Sequence, residues 1–376
     1  MKKILFFICL FATIAGTAQY SVRLVVTDVA TRKNEDIYLS GNFNNWNPRD
    51  ENYKLKPFGG SRKSIVIKDL AAGTYAFKFT RGAADRIETT ADGRDINDRV
   101  LEVNADLSQE FSIAGWKDDY PEVPKKYTAS PQVRILDTAF NMPQLNRKRR
   151  IWIYLPKGYV TASKLYPVLY MQDGQNLFNE KTAAFGEWGV DECLDTLQQK
   201  LGKDCIVVGI DHGGDKRNNE YNPYDNVQYG KGEGKQYADF IANTLKPYID
   251  TKYRTKKGPE NTFIAGSSMG GLISLYALMQ YPNVFGAAGV FSPSLFMAPF
   301  LDSDAETFTT PTQPRFYLYA GGKESATMVS DMQRMGDILK KKERYIIRSV
   351  VSPLGQHNET TWRQEFAAFY TWLMNY

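Results

Sequence analysis

The sequence predicts two domains of different class, an all-β sandwich followed by an α/β domain whose mostly parallel sheet is covered by helices on both faces. The 376 residues exceed the usual length of one domain. Short runs of alternating polar and apolar residues fill the first part of the chain, whereas strand-like apolar runs alternate with helical stretches in the second. A composition of 43% hydrophobic and 24% charged residues is typical of globular domains.

Residues 1–18 have the order of a signal peptide. Lys2 and Lys3 precede an apolar run over residues 4–14, and the small residues at 16–18 suit cleavage before Gln19. A membrane anchor is the alternative, but this run is too short to span a bilayer, and no other stretch is apolar enough to do so. We expect a cleaved signal peptide and a mature protein that is secreted or periplasmic.

The all-β region covers residues 19–116, and a polar linker that contains proline follows over residues 117–131. Clusters of Gly, Pro, Asn and Asp separate its apolar runs and are typical of turns between strands. This spacing favours an antiparallel, immunoglobulin-like sandwich. The predicted strands are "YSVRLVVTDV", "EDIYLSGNF", "KSIVIKDL", "TYAFKFTRG" and "RVLEVNA".

The α/β region covers residues 132–376. Ligands of such sheets bind at the carboxyl ends of the strands, so residues that directly follow strands are candidates for a site. The predicted strands are "RRIWIYLP", "YPVLYMQDG", "CIVVGID", "NTFIAGSS", "AAGVFSPS", "RFYLYAGG" and "YIIRSVVSP". The predicted helices are "YADFIANTLKPYIDTKY", "GGLISLYALMQYP", "TMVSDMQRMGDILKKK" and "WRQEFAAFYTWLMNY".

Charge and cysteine content argue against several classes of function. The net charge of +5 is mild and mostly scattered, which gives no support for nucleic-acid binding. Cys193 and Cys205 either form a disulfide or are two buried free thiols, and the second interpretation is favoured. Neither has the spacing of a metal site, so no metal and no cofactor is expected. The oligomeric state is not indicated.

The stretch "AGSSMGG" at residues 265–271 contains a G-x-S-x-G pattern with Ser268 at its centre. The pattern alone is weak, but a predicted strand precedes it and a predicted helix follows. A sharp turn between the two would lift the Ser268 hydroxyl above the sheet, at a helix N-terminus that favours a developing anion. Ser268 is the predicted nucleophile, and Ser267 is its neighbour in the turn.

A serine nucleophile requires a base and an acid, which follow it in the order serine, acid, histidine in such strand–turn–helix sites. Of the two histidines, His212 precedes Ser268, whereas His357 follows it in "GQHNETTW". His357 is therefore the predicted base. Glu324, in "AGGKES" after the strand "RFYLY", is the predicted acid that fixes the imidazole tautomer.

An oxyanion hole requires two backbone N–H groups. The first is predicted at Met269, the residue after the nucleophile. The second is predicted in "MQDGQNLF", where Gly174 permits a tight turn and the amide of Gln175 is the donor. An ordinary Asp-Gly turn is the alternative interpretation of this stretch.

The combined motifs resemble those of the esterase-D-like α/β-hydrolases. These include feruloyl and acetylxylan esterases of carbohydrate esterase family 1 and siderophore trilactone esterases. The resemblance runs from Gln132 to Tyr376 and implies Ser268, Glu324 and His357 as nucleophile, acid and base. Among the motifs that carry it are "LYMQDGQNLF", "EWGVDE", "IAGSSMGGLISLYA", "FSPS", "AGGKES" and "HNETTW". The chain departs from the family in having "DGQ" where some members carry a His-Gly turn, and "DHGG" where many relatives have "DNGG".

The first region is similar to the glycogen-binding, early-set sandwich of carbohydrate-binding module family 48. The similarity is carried by "IYLSGNFNNWNP" and "AAGTYAFKFTRG". It implies Trp46 as a possible platform for a sugar ring, but the place of a second tryptophan is taken by Gly82-Ala83-Ala84. A structural or pocket-completing module, with Trp46 largely packed, is favoured over a sugar-binding one.

Four residues on loops near the strand ends are candidates for substrate contact, Glu187, Trp188, His212 and Tyr221. For Trp188, packing against the core is the equal alternative. The expected partner is an ester substrate, with no nucleic acid and no membrane span after signal cleavage. The favoured function is an exported serine esterase that acts through an acyl-enzyme on feruloyl or acetyl esters of plant polysaccharides or oligosaccharides. An esterase of siderophore trilactones or other small esters and a noncatalytic carbohydrate-binding protein on a hydrolase scaffold are the alternatives.

Overall fold

The structure is a computed structural model that describes residues 19–120, 124–226 and 230–375. The predicted signal peptide, residues 1–18, lies outside them. The chain divides into two compact units, Met1–Pro124 and Lys125–Tyr376, each with a core of its own. The division falls within residues 117–131, which the sequence indicates as a linker.

The first unit is built from nine strands among its described residues. They are β1 (Gln19–Val29), β2 (Tyr38–Gly41), β3 (Lys56–Pro57), β4 (Lys63–Ala71), β5 (Gly73–Thr80), β6 (Glu88–Thr89), β7 (Arg99–Val103), β8 (Leu107–Ile113) and β9 (Gly115–Trp116). The sheets have the orders β3-β4-β1-β8, β2-β5-β7 and β6-β9. The pairing is antiparallel except between β1 and β8, which run parallel, so the expectation of purely antiparallel pairing is wrong for that pair.

Alternation along the strands builds the core of this unit. Phe77 and Phe79 on β5 are both fully buried and meet edge to face, with ring centroids 5.4 Å apart. Trp46 lies outside this core in a turn, at a positive φ of 58°, and is 37% exposed. Its ring is therefore less packed than a purely structural role would lead one to expect.

The second unit contains eight strands and eight helices among its described residues. The strands are β10 (Val133–Met142), β11 (Arg147–Tyr154), β12 (Val168–Gln172), β13 (Ile206–Ile210), β14 (Thr262–Ser267), β15 (Ala287–Phe291), β16 (Arg315–Gly321) and β17 (Ile346–Ser352). The helices are α1 (Val190–Leu201), α2 (Arg217–Glu220), α3 (Gly234–Phe240), α4 (Lys246–Lys252), α5 (Met269–Gln280), α6 (Leu301–Thr307), α7 (Met328–Lys340) and α8 (Glu359–Leu373). A π-helical turn, Ile241–Leu245, joins α3 to α4.

One eight-stranded sheet, in the order β10-β11-β13-β12-β14-β15-β16-β17, organises this unit. The six strands from β13 to β17 in that order are parallel, whereas β10 and β11 are antiparallel neighbours at one edge. Side chains of β14 alternate between two cores: Ile264 packs with α5 and Phe263 with α8. Helices thus cover both faces, and the carboxyl ends of the parallel strands meet along one edge.

The two cysteines of the second unit are free thiols, as the sequence favours. Burial raises the pKa of Cys205 to about 12 and that of Cys193 to about 11. Both values disfavour the reactive thiolate. No helix in the described parts of the chain is long and apolar enough to cross a membrane.

Candidate active site

Ser268 occupies a strained turn between β14 and α5. Its φ of 58° and ψ of −123° lie outside the regions that non-glycine residues normally adopt. The glycines on either side leave room for this turn. A Cβ on Gly266 would lie 2.7 Å from the carbonyl carbon of Gly270, and one on Gly271 would lie 2.9 Å from the Phe291 oxygen. The glycines in the local sequence therefore allow backbone segments to approach each other closely around Ser268.

Ser268 is one of three left-handed residues at adjacent strand ends. Asp173 follows β12 with a φ of 55°, and Ser292 follows β15 with a φ of 44°. Strands β12, β14 and β15 are neighbours in the sheet. Because strained backbone clusters at functional sites, this row marks the carboxyl edge of the sheet as the candidate site.

His357 and Glu324 lie together beyond the last two strands. His357 Nδ1 is 2.8 Å from Glu324 Oε2. The Glu324 side chain is 1% exposed, whereas that of His357 is 37% exposed. A buried carboxylate bound to one ring nitrogen leaves Nε2 as the nitrogen that can exchange protons.

Ser292 and Trp362 support this pair. Ser292 Oγ donates to Glu324 Oε1 at 2.6 Å and accepts from Trp362 Nε1 at 2.9 Å. The N–H of Gly321 also donates to Oε1, at 2.6 Å. Trp362 in turn meets the His357 ring edge to face, with centroids 5.0 Å apart. The sequence shows Ser292 only as part of "FSPS", without a role.

The structure does not join Ser268 directly to His357. Ser268 Oγ is 3.1 Å from Ser294 Oγ, and among the described residues no hydrogen bond links Ser268 to His357. Ser294 is a second residue that sequence reasoning missed. Catalytic hydrogen bonds often tighten only once substrate is bound, so this separation does not disqualify the pair.

The two predicted oxyanion donors lie on adjoining elements. Met269 begins α5, so its N–H has no acceptor within the helix. Gln175 lies in a 3-10 turn, Gly174–Asn176, after β12. Neither backbone N–H donates a hydrogen bond to another of the described residues. A Cβ on Gly270 would lie 3.1 Å from Asp173 Oδ2, so the loop after β12 packs against the start of α5.

A charged group missed by sequence reasoning lies beside this loop. Arg217 donates from Nε and Nη2 to the two carboxylate oxygens of Asp173, at 2.7 and 2.9 Å. Asn176 Nδ2 donates to Glu359 Oε1 at 3.2 Å. The pKa of Glu359 is raised to about 7, mainly by burial; the nearby Asp173 also raises this pKa, whereas Arg217 and the hydrogen bond from Asn176 lower it.

A family model described as "Putative esterase" matches residues 142–373, more than half of the chain. The chain belongs to this esterase family. The matched range contains Ser268, Glu324 and His357. The protein is accordingly a hydrolase of the esterase kind.

Two known proteins are similar in sequence to parts of this esterase. YbbA, an uncharacterised protein of Bacillus subtilis (strain 168), is 28% identical over 202 residues, which are 52% of this chain and 76% of YbbA. An endo-1,4-beta-xylanase/feruloyl esterase of Xylanibacter ruminicola is 29% identical over 161 residues, which are 39% of this chain and 19% of that enzyme.

Two solved structures are similar in fold to this esterase. The enterobactin esterase FES from Shigella flexneri has a TM-score of 0.55 at 18% identity, over 91% of this chain and 88% of that one. The BES protein from Bacillus cereus also has a TM-score of 0.55 at 18% identity, over 68% of this chain and 99% of that one. At this identity both establish the fold alone, which is of the α/β-hydrolase-like class.

His212 remains a candidate for substrate contact in the esterase. It is half-buried after β13, and its Nδ1 accepts a hydrogen bond from the Gly214 N–H at 2.9 Å. Burial lowers the pKa of His212. The imidazole is thus held neutral, with its proton on Nε2.

The other three residues expected to contact substrate require correction. Trp188 is 2% exposed and stacks on Trp362, with centroids 5.9 Å apart, so it packs in the core, which was its alternative interpretation. Tyr221 is fully buried, and its hydroxyl accepts from the Asp173 N–H at 3.3 Å. The Glu187 side chain is 4% exposed and accepts from Thr128 Oγ1 at 2.9 Å. In this structure these side chains support the loops around the site and offer little surface to a ligand.

Proposed function

We propose that the protein is a serine carboxylic-ester hydrolase that acts through an acyl-enzyme. The observation that carries this proposal is the placement of Ser268 in a strained strand–helix turn at the same sheet edge as the Glu324–His357 hydrogen bond. This is the order and the set of roles expected of a serine, acid and histidine site on a parallel sheet.

Each residue has a defined part in the proposed reaction. Ser268 Oγ turns from Ser294 toward His357, whose Nε2 removes its proton as Oγ attacks the ester carbonyl. The negative oxygen of the tetrahedral intermediate accepts hydrogen bonds from the backbone N–H groups of Met269 and Gln175. His357 then protonates the departing alcohol, leaving an acyl-Ser268, and afterwards activates the water that releases the carboxylic acid. Glu324 holds the imidazole in the required tautomer throughout.

Neighbouring serines provide a matched test. Ser268→Ala should lower kcat for a nitrophenyl ester by about 10⁴ or more, because members of such a site act as a unit. Ser267→Ala alters the adjacent buried hydroxyl, 6% exposed, and should retain most of the activity. Circular dichroism should show both variants folded. A folded Ser268→Ala variant with full activity would refute the nucleophile assignment.

We propose feruloyl or acetyl esters of plant polysaccharides or oligosaccharides as the substrate class. The support is the 29% identity to the xylanase/feruloyl esterase, over a region that is 39% of this chain. A second candidate, a siderophore trilactone or another small ester, is favoured by the fold likeness to an enterobactin esterase over 91% of the chain.

Parallel assays distinguish these candidates. Purified protein is compared on methyl ferulate, acetylated xylan, a siderophore trilactone and nitrophenyl esters of different chain length. A preference for ferulate or acetylated xylan supports the first proposal, whereas activity confined to the trilactone replaces it with the second. Absence of turnover on every ester would favour the third possibility, a noncatalytic carbohydrate-binding protein.

We further propose export and a carbohydrate contact at Trp46. The order of charged, apolar and small residues at the N-terminus supports export, and N-terminal sequencing of secreted or periplasmic protein should begin at Gln19.

The 37% exposure of Trp46 supports a sugar contact by a ring face. Trp46→Ala should then lower retention on insoluble polysaccharide without changing kcat on a soluble ester.

A further inference from the structure

Three acidic side chains converge at the start of α1, away from the serine and the histidine. Glu187 lies in the irregular segment before the helix, and Asp191 and Glu192 lie in its first turn. One carboxylate oxygen from each lies within 4.8 Å of the other two. Glu187 is 8% exposed and Asp191 fully buried, so like charges are held together with little water to separate them. These three residues are the acidic cluster below.

Each carboxylate of the acidic cluster has a buried oxygen that lacks a hydrogen-bond partner. These atoms are Glu187 Oε1, Asp191 Oδ1 and Glu192 Oε2. For Glu187 and Asp191 the other oxygen is satisfied by the segment that precedes β10: Thr128 Oγ1 donates to Glu187 Oε2, and the Ser130 N–H donates to Asp191 Oδ2 at 2.6 Å. Buried acceptors left without donors are costly, so these oxygens need a cation, a shared proton or an ordered water.

The surrounding charge does not balance the cluster. Among the described residues its carboxylates make one ion pair, between Glu187 Oε2 and Arg363 Nη1 at 4.0 Å, and Arg363 is 47% exposed. One distant, hydrated guanidinium faces three carboxylates. A further oxygen adjoins the cluster, because Ser130 Oγ is also buried without a hydrogen-bond partner.

We propose that the acidic cluster binds a divalent cation, Ca²⁺, through Glu187, Asp191 and Glu192. The available donors are all oxygen atoms, which hard cations prefer. Two ligands on opposite sides of a Ca²⁺ ion are about 4.8 Å apart, since Ca–O distances are about 2.4 Å, and the three carboxylates fall within that span. The Ser130 hydroxyl and water would complete the coordination shell. The ion would tie residues 128–130 to α1 and stabilise the second unit.

A shared proton is the competing occupant of the cluster. Burial raises the pKa of Asp191, and the neighbouring Glu192 carboxylate raises it as well. A carboxyl group that shares a proton with its neighbour would satisfy the same oxygens without a metal. The two cases differ in one measurable respect, since only the first makes the stability of the fold depend on calcium.

The test uses the mature chain after treatment with EDTA. Calorimetric titration should show one Ca²⁺ bound per chain, and the Tm should rise by about 5 °C at a Ca²⁺ concentration about one hundred times the Kd. Asp191→Asn and Glu192→Gln should lose the calcium-dependent part of the Tm while folding in EDTA. Asp337→Asn, whose side chain is 71% exposed on α7, should respond like the unmodified protein.

Three outcomes would overturn the proposal. The first is no binding heat and no change in Tm up to about 10 mM Ca²⁺, above the range of weak extracellular calcium sites. The second is a calcium response that persists in Asp191→Asn and Glu192→Gln, which would place the ion elsewhere. The third is a larger rise in Tm with Mg²⁺ than with Ca²⁺, which would refute the choice of ion. Because the readout is stability, the result is independent of esterase activity.

Discussion

In the second unit, the carboxylate of Glu324 and the carboxylates of the acidic cluster differ in what surrounds them. Glu324 accepts hydrogen bonds at both oxygens, from Ser292 and Gly321 at Oε1 and from His357 Nδ1 at Oε2. The acidic cluster, Glu187, Asp191 and Glu192, has an unpartnered oxygen on every member. Glu324 lies at the carboxyl edge of the sheet, whereas the acidic cluster lies at the start of α1.

This difference separates two uses of a buried negative charge. A carboxylate surrounded by fixed donors has one orientation, so it can hold an imidazole in one tautomer. Buried carboxylates with too few hydrogen-bond donors are destabilised as anions, and a cation or a proton can neutralise them. Glu359 is intermediate, because Asn176 donates to Oε1 and burial raises its pKa to about 7. The following variants test whether donor supply, rather than burial, sets the role of each carboxylate.

The largest effect is expected from Glu324→Gln. The amide has no charge, and its N–H₂ would face His357 Nδ1 and favour the wrong tautomer. We expect kcat to fall by about 10³–10⁴ while the fold is retained. Steady-state kinetics on a nitrophenyl ester measures this change, and Glu343→Gln, an exposed site, is the control. An unchanged kcat would remove Glu324 from the proposed site.

A smaller effect is expected from Ser292→Ala, which removes one donor from the Glu324 carboxylate. Hydrogen bonds to charged groups contribute about 1.5–3 kcal/mol, so kcat should fall by about 10–100-fold. KM should change little, because Ser292 acts through Glu324 and not on the substrate. Trp362→Phe removes the N–H that donates to Ser292 Oγ, together with part of the ring that packs on His357 and Trp188, and should also lower kcat. A change confined to KM or to Tm would show a merely structural role.

The smallest effect is expected from Glu359→Gln, measured as stability. The folded state raises the pKa of Glu359 from 4.5 to about 7, so it binds a proton more tightly than the unfolded chain does. The stability from this group is therefore full below pH 4.5 and is lost as the pH rises to about 7. Glutamine stays neutral and keeps the acceptor for Asn176. The variant should exceed the unmodified protein in free energy of unfolding by about 1–3 kcal/mol at about pH 8.

Urea unfolding at two pH values checks the sign of that effect. The gain from Glu359→Gln should nearly vanish at about pH 3, well below the unfolded-state pKa of 4.5, where the wild-type carboxyl is protonated in both states. An equal gain at both pH values would show that packing, and not ionisation, separates the two proteins. Glu343→Gln should show no such dependence on pH.

Local patterns in the sequence account for the residues that directly follow strands. The strand and helix around "AGSSMGG" define the turn at Ser268, and the later strands place Glu324 and His357 beyond their ends. The antiparallel edge strand β10 was not predicted, because its sequence, "VRILDTAFNM", alternates weakly and is half exposed. The α/β class itself depends on repetition along the chain and is therefore readable without a structure.

The supporting contacts could not be predicted, because they join distant parts of the chain. Ser292 and Trp362 are 70 residues apart, and Ser268 and Ser294 are 26 apart. Trp188 shows the same limit, since an aromatic residue on a loop can face either solvent or a second tryptophan. In the acidic cluster, the spacing within "EWGVDE" is visible in the sequence, but the burial that Thr128 and Ser130 help to create is not.

The three left-handed residues at adjacent strand ends also define where stability and activity conflict. At Asp173, Ser268 and Ser292 the backbone has a positive φ, which glycine adopts with the least strain. Each substitution by glycine would relieve backbone strain of about 1 kcal/mol or more. Each would also delete a side chain at the candidate site. A thermostabilised version of this enzyme should therefore be designed with these three positions held constant.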